Sequence, residues 1–205
     1  MKTRIIVLLL GCAFAFASCG GSSGGNERDE AAIEEAIVAF ADSDDPDDCA
    51  EFTTPRLLKK LSKANYEAAL ASCEALAVNP LLEDAKEVTV TDVEIDGDTA
   101  TATASFVGSI FDGQTVRFGL LKREDRWMND EIFGFVDLDA KKLATEWGRV
   151  LLLLSASPRE TETATCVMNR LLKLSQANLE SMYLEGDPDR YVELVQSCAG
   201  RSSSL

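Results

Sequence analysis

Between residues 27 and 41, apolar side chains recur every three to four positions. Ile33, Ala36, Ile37 and Phe40 fall at i, i+3, i+4 and i+7, with Glu30, Glu34 and Glu35 elsewhere. That is the period of an amphipathic helix. Cys49 and Phe52 fit one short helical turn. Thr54-Pro55 then supplies an N-cap and a first helical residue. The apolar side of the helix they open is Leu57, Leu58 and Leu61. Residues 66–76 continue helically, with Leu70, Cys73 and Leu76 on related faces, until Asn79-Pro80 breaks the pattern.

At residue 88 the period changes to two. Val88 and Val90 alternate with Thr89 and Thr91, then the apolar phase slips to Val93 and Ile95, which predicts a β-bulge. Asp96-Gly97-Asp98 is a hairpin signal. From Thr99 onward the alternation has no fault: Ala100, Ala102, Ala104 and Phe106 face one way, and Thr99, Thr101, Thr103 and Ser105 the other. Residues 111–114 turn the chain again. Val116, Phe118 and Leu120 alternate against Thr115, Arg117 and Gly119. Residues 124–126 make a third tight turn, and residues 127–135 are the fourth strand. Four strands joined by short turns make an antiparallel meander.

From Asp139, a candidate N-cap, the period returns to 3.6. Leu143, Trp147, Val150, Leu151 and Leu154 predict one helix, which Pro158 ends. Its run of five apolar residues, 150–154, is far too short to span a bilayer. Cys166, Val167, Leu171 and Leu174 start another helix, and Leu179, Met182 and Tyr183 continue it or form a separate turn. Gly186-Asp187-Pro188 stops one helix and caps the next, in which Tyr191, Leu194, Val195 and Cys198 share a face. Helices, then an antiparallel sheet, then helices make the chain α+β. The stretch from Arg56 to Asn65 is echoed between Arg170 and Asn178; two copies make no solenoid.

The 205 residues carry 20 Lys+Arg against 35 Asp+Glu, a formal net charge of −15, with 46% hydrophobic and 27% charged residues. This is the composition of a folded chain. Its charge disfavours nucleic acid, whose phosphates it would repel. There is no histidine, so Ser-His-Asp and Cys-His catalysis and His-ligated metals are excluded. Acidic residues at 42, 44, 45, 47 and 48 invite a calcium reading. Pro46 and Asp47, however, occupy the places of the fifth ligand and the glycine, and Thr53 stands where the closing Glu is needed. The segment is read as a turn followed by an N-cap, and no metal or cofactor is expected.

The N-terminus has the make-up of a secretory signal: basic Lys2 and Arg4, an apolar run over 5–17, then small residues. Phe16-Ala17-Ser18-Cys19 resembles the lipobox of bacterial lipoproteins, in which the cysteine thiol receives a diacylglycerol and becomes the mature first residue. Ala17 and Ser18 fit; Phe16 stands where an aliphatic residue is usual. Leu9-Leu10-Gly11-Cys12 matches the short pattern but leaves only a stub of apolar run. The resemblance implies a signal peptide at 1–18 and lipidation at Cys19. Residues 20–26, Gly-Gly-Ser-Ser-Gly-Gly-Asn, then read as a flexible tether. The plainer alternative is a secreted protein cut near Ala17 with Cys19 free. Export means an oxidising compartment. Cys49, Cys73, Cys166 and Cys198 then allow three disulfide pairings, of which Cys49–Cys73 with Cys166–Cys198 joins nearest neighbours.

The order of elements in residues 27–137, the Asp-Gly hairpin and the turn from Lys122 to Trp127 resemble the nuclear-transport-factor-two-like family, which includes the SnoaL-like polyketide cyclases. The resemblance implies a cone: N-terminal helices packed on a four-stranded curved antiparallel sheet, with a cavity at the open end. Phe106, Phe118, Trp127 and Phe133 are then core residues or possible pocket lining. Some members use an Asp and a His in the cavity; this chain has no His, so no catalytic residue carries over. Residues 138–205 lie outside that resemblance and resemble the disulfide-closed helical hairpins appended to exported actinobacterial proteins, as a second module or a cap on the cone.

The expected function is that of a non-catalytic lipoprotein on the extracytoplasmic face of the cell membrane. It would be held there by its N-terminal lipid and would bind an envelope protein or a small apolar ligand. The alternative is a carboxylate-based isomerase, cyclase or hydrolase in the cone. An acid deep in the cavity beside a hydrogen-bond donor would favour that alternative; a filled or wholly apolar cone would favour binding. A third reading makes the domain an envelope spacer.

Overall fold

The computed structural model describes residues 23–42, 44–62, 64–79, 85–109, 111–153, 155–184 and 188–199. The expected signal sequence, Cys19 and residues 185–187 lie outside these. The elements are α1 (Ser23–Asp42), α2 (Asp48–Phe52), α3 (Pro55–Ser62), α4 (Tyr66–Ala77), β1 (Ala85–Asp96), β2 (Thr99–Gly108), β3 (Thr115–Arg123), β4 (Arg126–Asp137), α5 (Ala140–Leu153), α6 (Pro158–Leu171), α7 (Gln176–Leu184) and α8 (Pro188–Ala199). The chain is α+β, with a curved antiparallel sheet in the order β1-β2-β3-β4.

Local chemistry sets most boundaries. Thr54 caps α3, its hydroxyl accepting from Leu57 N and donating to Asp130 Oδ1 at 2.7 Å. Asn65 caps α4 and Asp139 caps α5 through side-chain bonds from Ala68 N and Lys142 N. Each satisfies a first-turn N–H that has no partner within the helix. Pro158 does more than end α5: with Ser157 as N-cap it opens α6. The N-cap expected after the acidic turn falls at Asp47, whose side chain makes no cap bond. Asp45 instead accepts from Asp47 N in a tight turn. The helix of residue 27 begins earlier, at Ser23, and so takes in part of the Gly/Ser stretch read as tether. Once a helix has nucleated, each added residue costs little.

The predicted slip in β1 is a bulge between Thr91 and Glu94, with Asp92 at φ 51°. β4 departs further from alternation. It slips against β3 between Thr115/Val116, Arg117/Phe118 and Gly119/Leu120. Trp127, Asn129 and Ile132 are therefore the buried positions of this strand, and Phe133 is 54% exposed. A one-residue slip turns a side chain to the other face. Phe133, read from the sequence as core or possible pocket lining, is turned outward for that reason. Its ring lies where a side chain on Gly119 would be.

Among the described residues two buried clusters result. In the first, Ile33, Ala36 and Ile37 of α1 lie with Leu57 against Ala100, Ala102, Ala104, Phe106, Val116, Phe118 and Trp127. The small alanines of β2 leave room for a helix. The second holds Leu143, Ala144, Val167, Leu171, Leu179, Met182 and Cys198. Phe135 and Tyr183 pack against both. Disulfides join Cys49 to Cys73 and Cys166 to Cys198. The first ties α2 to α4, the second α6 to α8. The sequence echo is no structural repeat: Arg56–Ser62 is helical, whereas the stretch after Arg170 straddles the end of α6.

Candidate functional site

The inner face of the sheet is occupied. Phe106, Phe118 and Trp127, three of the four predicted pocket residues, are at most 1% exposed. Phe40 meets Phe118 edge-on at 5.8 Å, and Phe111 lies 5.2 Å from Phe106. Phe111, buried in the β2–β3 turn, was not singled out by the sequence pattern because turn residues carry no period. Among the described residues the buried polar side chains are Thr53, Thr54, Ser109, Gln114 and Asn129; no carboxylate is buried. Asn129 Nδ2 donates to Ala36 O at 2.7 Å and Phe52 O at 3.0 Å, pinning α1 and α2 to β4, and its Oδ1 is buried without a partner.

Three partly buried acids, Asp29, Asp112 and Glu131, are paired with cations. Asp29 Oδ1 accepts from Lys122 Nζ at 2.7 Å and Trp127 Nε1 at 3.0 Å. Those two donors hold its carboxyl below the ordinary range. Glu131, bonded by Arg56 and Lys60, and Asp112, bonded by Lys142 and Gly108 N, are lowered likewise. Hydrogen bonds to the charged form stabilise it. Among the described residues no cluster of Cys, Asp and Glu could hold a metal ion, and no helix is long and apolar enough to cross a membrane.

Among the described residues, a concave feature lies in the C-terminal helices. A groove of about 500 Å³ runs between the end of α5, the first half of α6 and α8. Leu151, Ala164, Val167 and Val195 make its apolar floor, Tyr191 one wall, and Ser155, Ser157, Arg159 and Glu160 its rim. A volume of that size suits a small molecule, and an apolar floor with a few polar groups is the common form of such sites. The walls are braced. Cys166–Cys198 joins α6 to α8 beside the groove, and Arg170 reaches Ser197 Oγ. Tyr191 stacks on Trp147 at 5.6 Å and 3°, and burial raises its phenol pKa. Trp147 in turn meets Tyr183, whose phenol burial pushes far up. At the N-terminus of α6, Ser157 Oγ accepts from Glu160 N, and Glu160 Oε2 accepts from Ala156 N, the residue before the N-cap, a relative of the capping box.

The sequence pattern identified the apolar stripes of these helices, including Tyr191 and Val195. It carried no sign that the stripes are wider than the neighbouring helices cover. Protein-family models, curated proteins and solved structures contain no match to the chain.

Proposed function

We propose that the protein is a non-catalytic lipoprotein, anchored through Cys19 to the extracytoplasmic face of the cell membrane. The helices of residues 138–205 bind a small apolar ligand, or an apolar side chain of an envelope protein, in the α5–α6–α8 groove. The observation that carries this reading is the contrast between two places in the molecule. The sheet's inner face is filled with apolar side chains, whereas the apolar-floored groove is open and braced by a disulfide. In the same reading, residues 27–137 are a cone of the nuclear-transport-factor-two-like kind whose cavity is taken up by Phe40, Phe106, Phe111 and Phe118. A carboxylate enzyme is disfavoured. A general base needs a raised pKa in an apolar pocket, and Asp29, Asp112 and Glu131 are all lowered by cations. Two disulfides in the fold agree with an exported protein.

Native mass spectrometry of the protein purified from its own host tests the reading. One small molecule or protein should be retained repeatedly by the wild type and lost in Val195→Asp, a partly exposed groove position, with the helical circular dichroism unchanged. Turnover of that molecule by the purified protein, or its retention by Val195→Asp, would overturn the assignment.

A further inference from the structure

The start of α1 limits how the anchored protein can sit on its membrane. The β1–β2 and β3–β4 turns lie at one end of the sheet, where Lys122 N bonds Asp98 O. The β2–β3 loop lies at the other, about 30 Å away along the nine steps of β2. The Asp29 bonds to Lys122 and Trp127 hold the first half of α1 at the turn end. From Asp29 back to Ser23 the helix runs about 9 Å further in that direction. Only three residues, Gly20, Gly21 and Ser22, then separate Ser23 from Cys19, a reach over four steps of at most about 14 Å even fully extended. That span cannot return along the sheet to its loop end.

We propose that the turn end of the sheet rests on the phospholipid headgroup layer, and that the C-terminal helices stand at the membrane-distal end. The inference rests on lipid anchorage at Cys19, as proposed above. The chemistry of the turn end suits a headgroup surface and not the acyl region. Asp96, Gly97, Asp98, Arg123, Glu124 and Asp125 form its tip, four acids to one Arg with no apolar side chain to insert, so the short tether and not charge attraction holds it at the headgroups. The loop end carries the helices. Gln114, buried beside the β2–β3 turn, accepts from Asp139 N at 3.0 Å and donates to Asp139 O at 3.3 Å. Tyr183 meets Phe111 edge-on at 5.6 Å. The partner of the groove is therefore a soluble molecule or protein met away from the lipid, not a lipid of the anchoring leaflet.

The test uses the full-length lipidated protein in phosphatidylcholine vesicles that contain a headgroup nitroxide lipid. A fluorophore is attached through an encoded azido side chain in place of exposed Asp98 or exposed Asp137. Quenching is expected at 98 and its loss at 137. Equal quenching at both, or quenching at 137 alone, overturns the orientation while leaving the anchor intact. Inserting about 20 Gly/Ser residues after Cys19, with a root-mean-square span near 25 Å, should abolish the difference. If it persists, the tether is not what orients the domain and the proposal fails. Intact mass reads the anchor separately: a chain without diacylglycerol on Cys19 overturns both readings, and Cys19→Ser should lose vesicle binding.

Discussion

Asp29 receives Lys122 and Trp127 on one oxygen, with Lys122 Nζ also 5.5 Å from the Trp127 ring. Asp29→Asn removes the charge and keeps the shape. It should cost about 1 kcal/mol, the scale of a partly exposed charge-assisted pair, and should shift Trp127 emission; urea unfolding followed by fluorescence measures both. The pH dependence has a definite sign. The folded pKa values of Asp29, Asp112 and Glu131 lie below their unfolded values. Their stabilisation is full above the unfolded carboxylate range near 4 and is lost as pH falls through the folded values. Thermal melts should therefore fall on the acid side, and less steeply in Asp29→Asn; a second loss is expected above about pH 10, where Tyr183 and Tyr191 ionise in the unfolded chain while burial keeps them protonated in the fold. Asn129→Leu leaves the carbonyls of Ala36 and Phe52 without its amide. It should destabilise by about 2–4 kcal/mol, the cost of unmade buried hydrogen bonds. Neither pairing could be read from the sequence: Asp29 lies 93 residues from Lys122, and Asn129 lies 93 from Ala36.

Single elements show where local rules sufficed. The Gly97 hairpin, the Asp92 bulge and the caps at Thr54 and Asp139 follow from side chains acting within a few residues. The β3–β4 turn shows a local compromise: Glu124 and Asp125 both adopt positive φ, at 50° and 62°. Left-handed backbone costs an L-residue roughly 1–2 kcal/mol, and Asn-Gly suits such a turn best. Glu124→Asn with Asp125→Gly should therefore raise stability by about 1–2 kcal/mol in chemical denaturation. On α5, a side chain at Gly148 would meet Met168 of α6. Gly148→Ala should cost about 1–3 kcal/mol by overpacking, visible as a lower melting temperature. The slips in β4 were not legible, because apolar and polar residues alternate there only roughly and the partner strand decides the register. Phe133 was misplaced on that account.

At the scale of the molecule, the sheet and the C-terminal helices form one packed structure through Gln114, Tyr183 and Leu184. Gln114 Nε2 and Oε1 bond Asp139 main-chain atoms at a position 1% exposed. Gln114→Ala should cost about 2–3 kcal/mol by leaving those groups unsatisfied. In a Trp147→Phe background, fluorescence of Trp127 in the sheet and far-ultraviolet circular dichroism should unfold at one urea midpoint. In Gln114→Ala the midpoints should separate, with the helices melting first.

The sequence by itself determined the α+β class, the four-strand meander and most helix boundaries. Period, cap and turn chemistry act over a few residues and need no partner to be known. It also narrowed the cysteines to three pairings. Tertiary structure alone chose among them, turned Phe133 outward, filled the sheet's inner face with Phe40 and Phe111, and left the groove open between α6 and α8. Those outcomes depend on how much of each apolar stripe a distant neighbour covers, which one stretch of sequence does not encode.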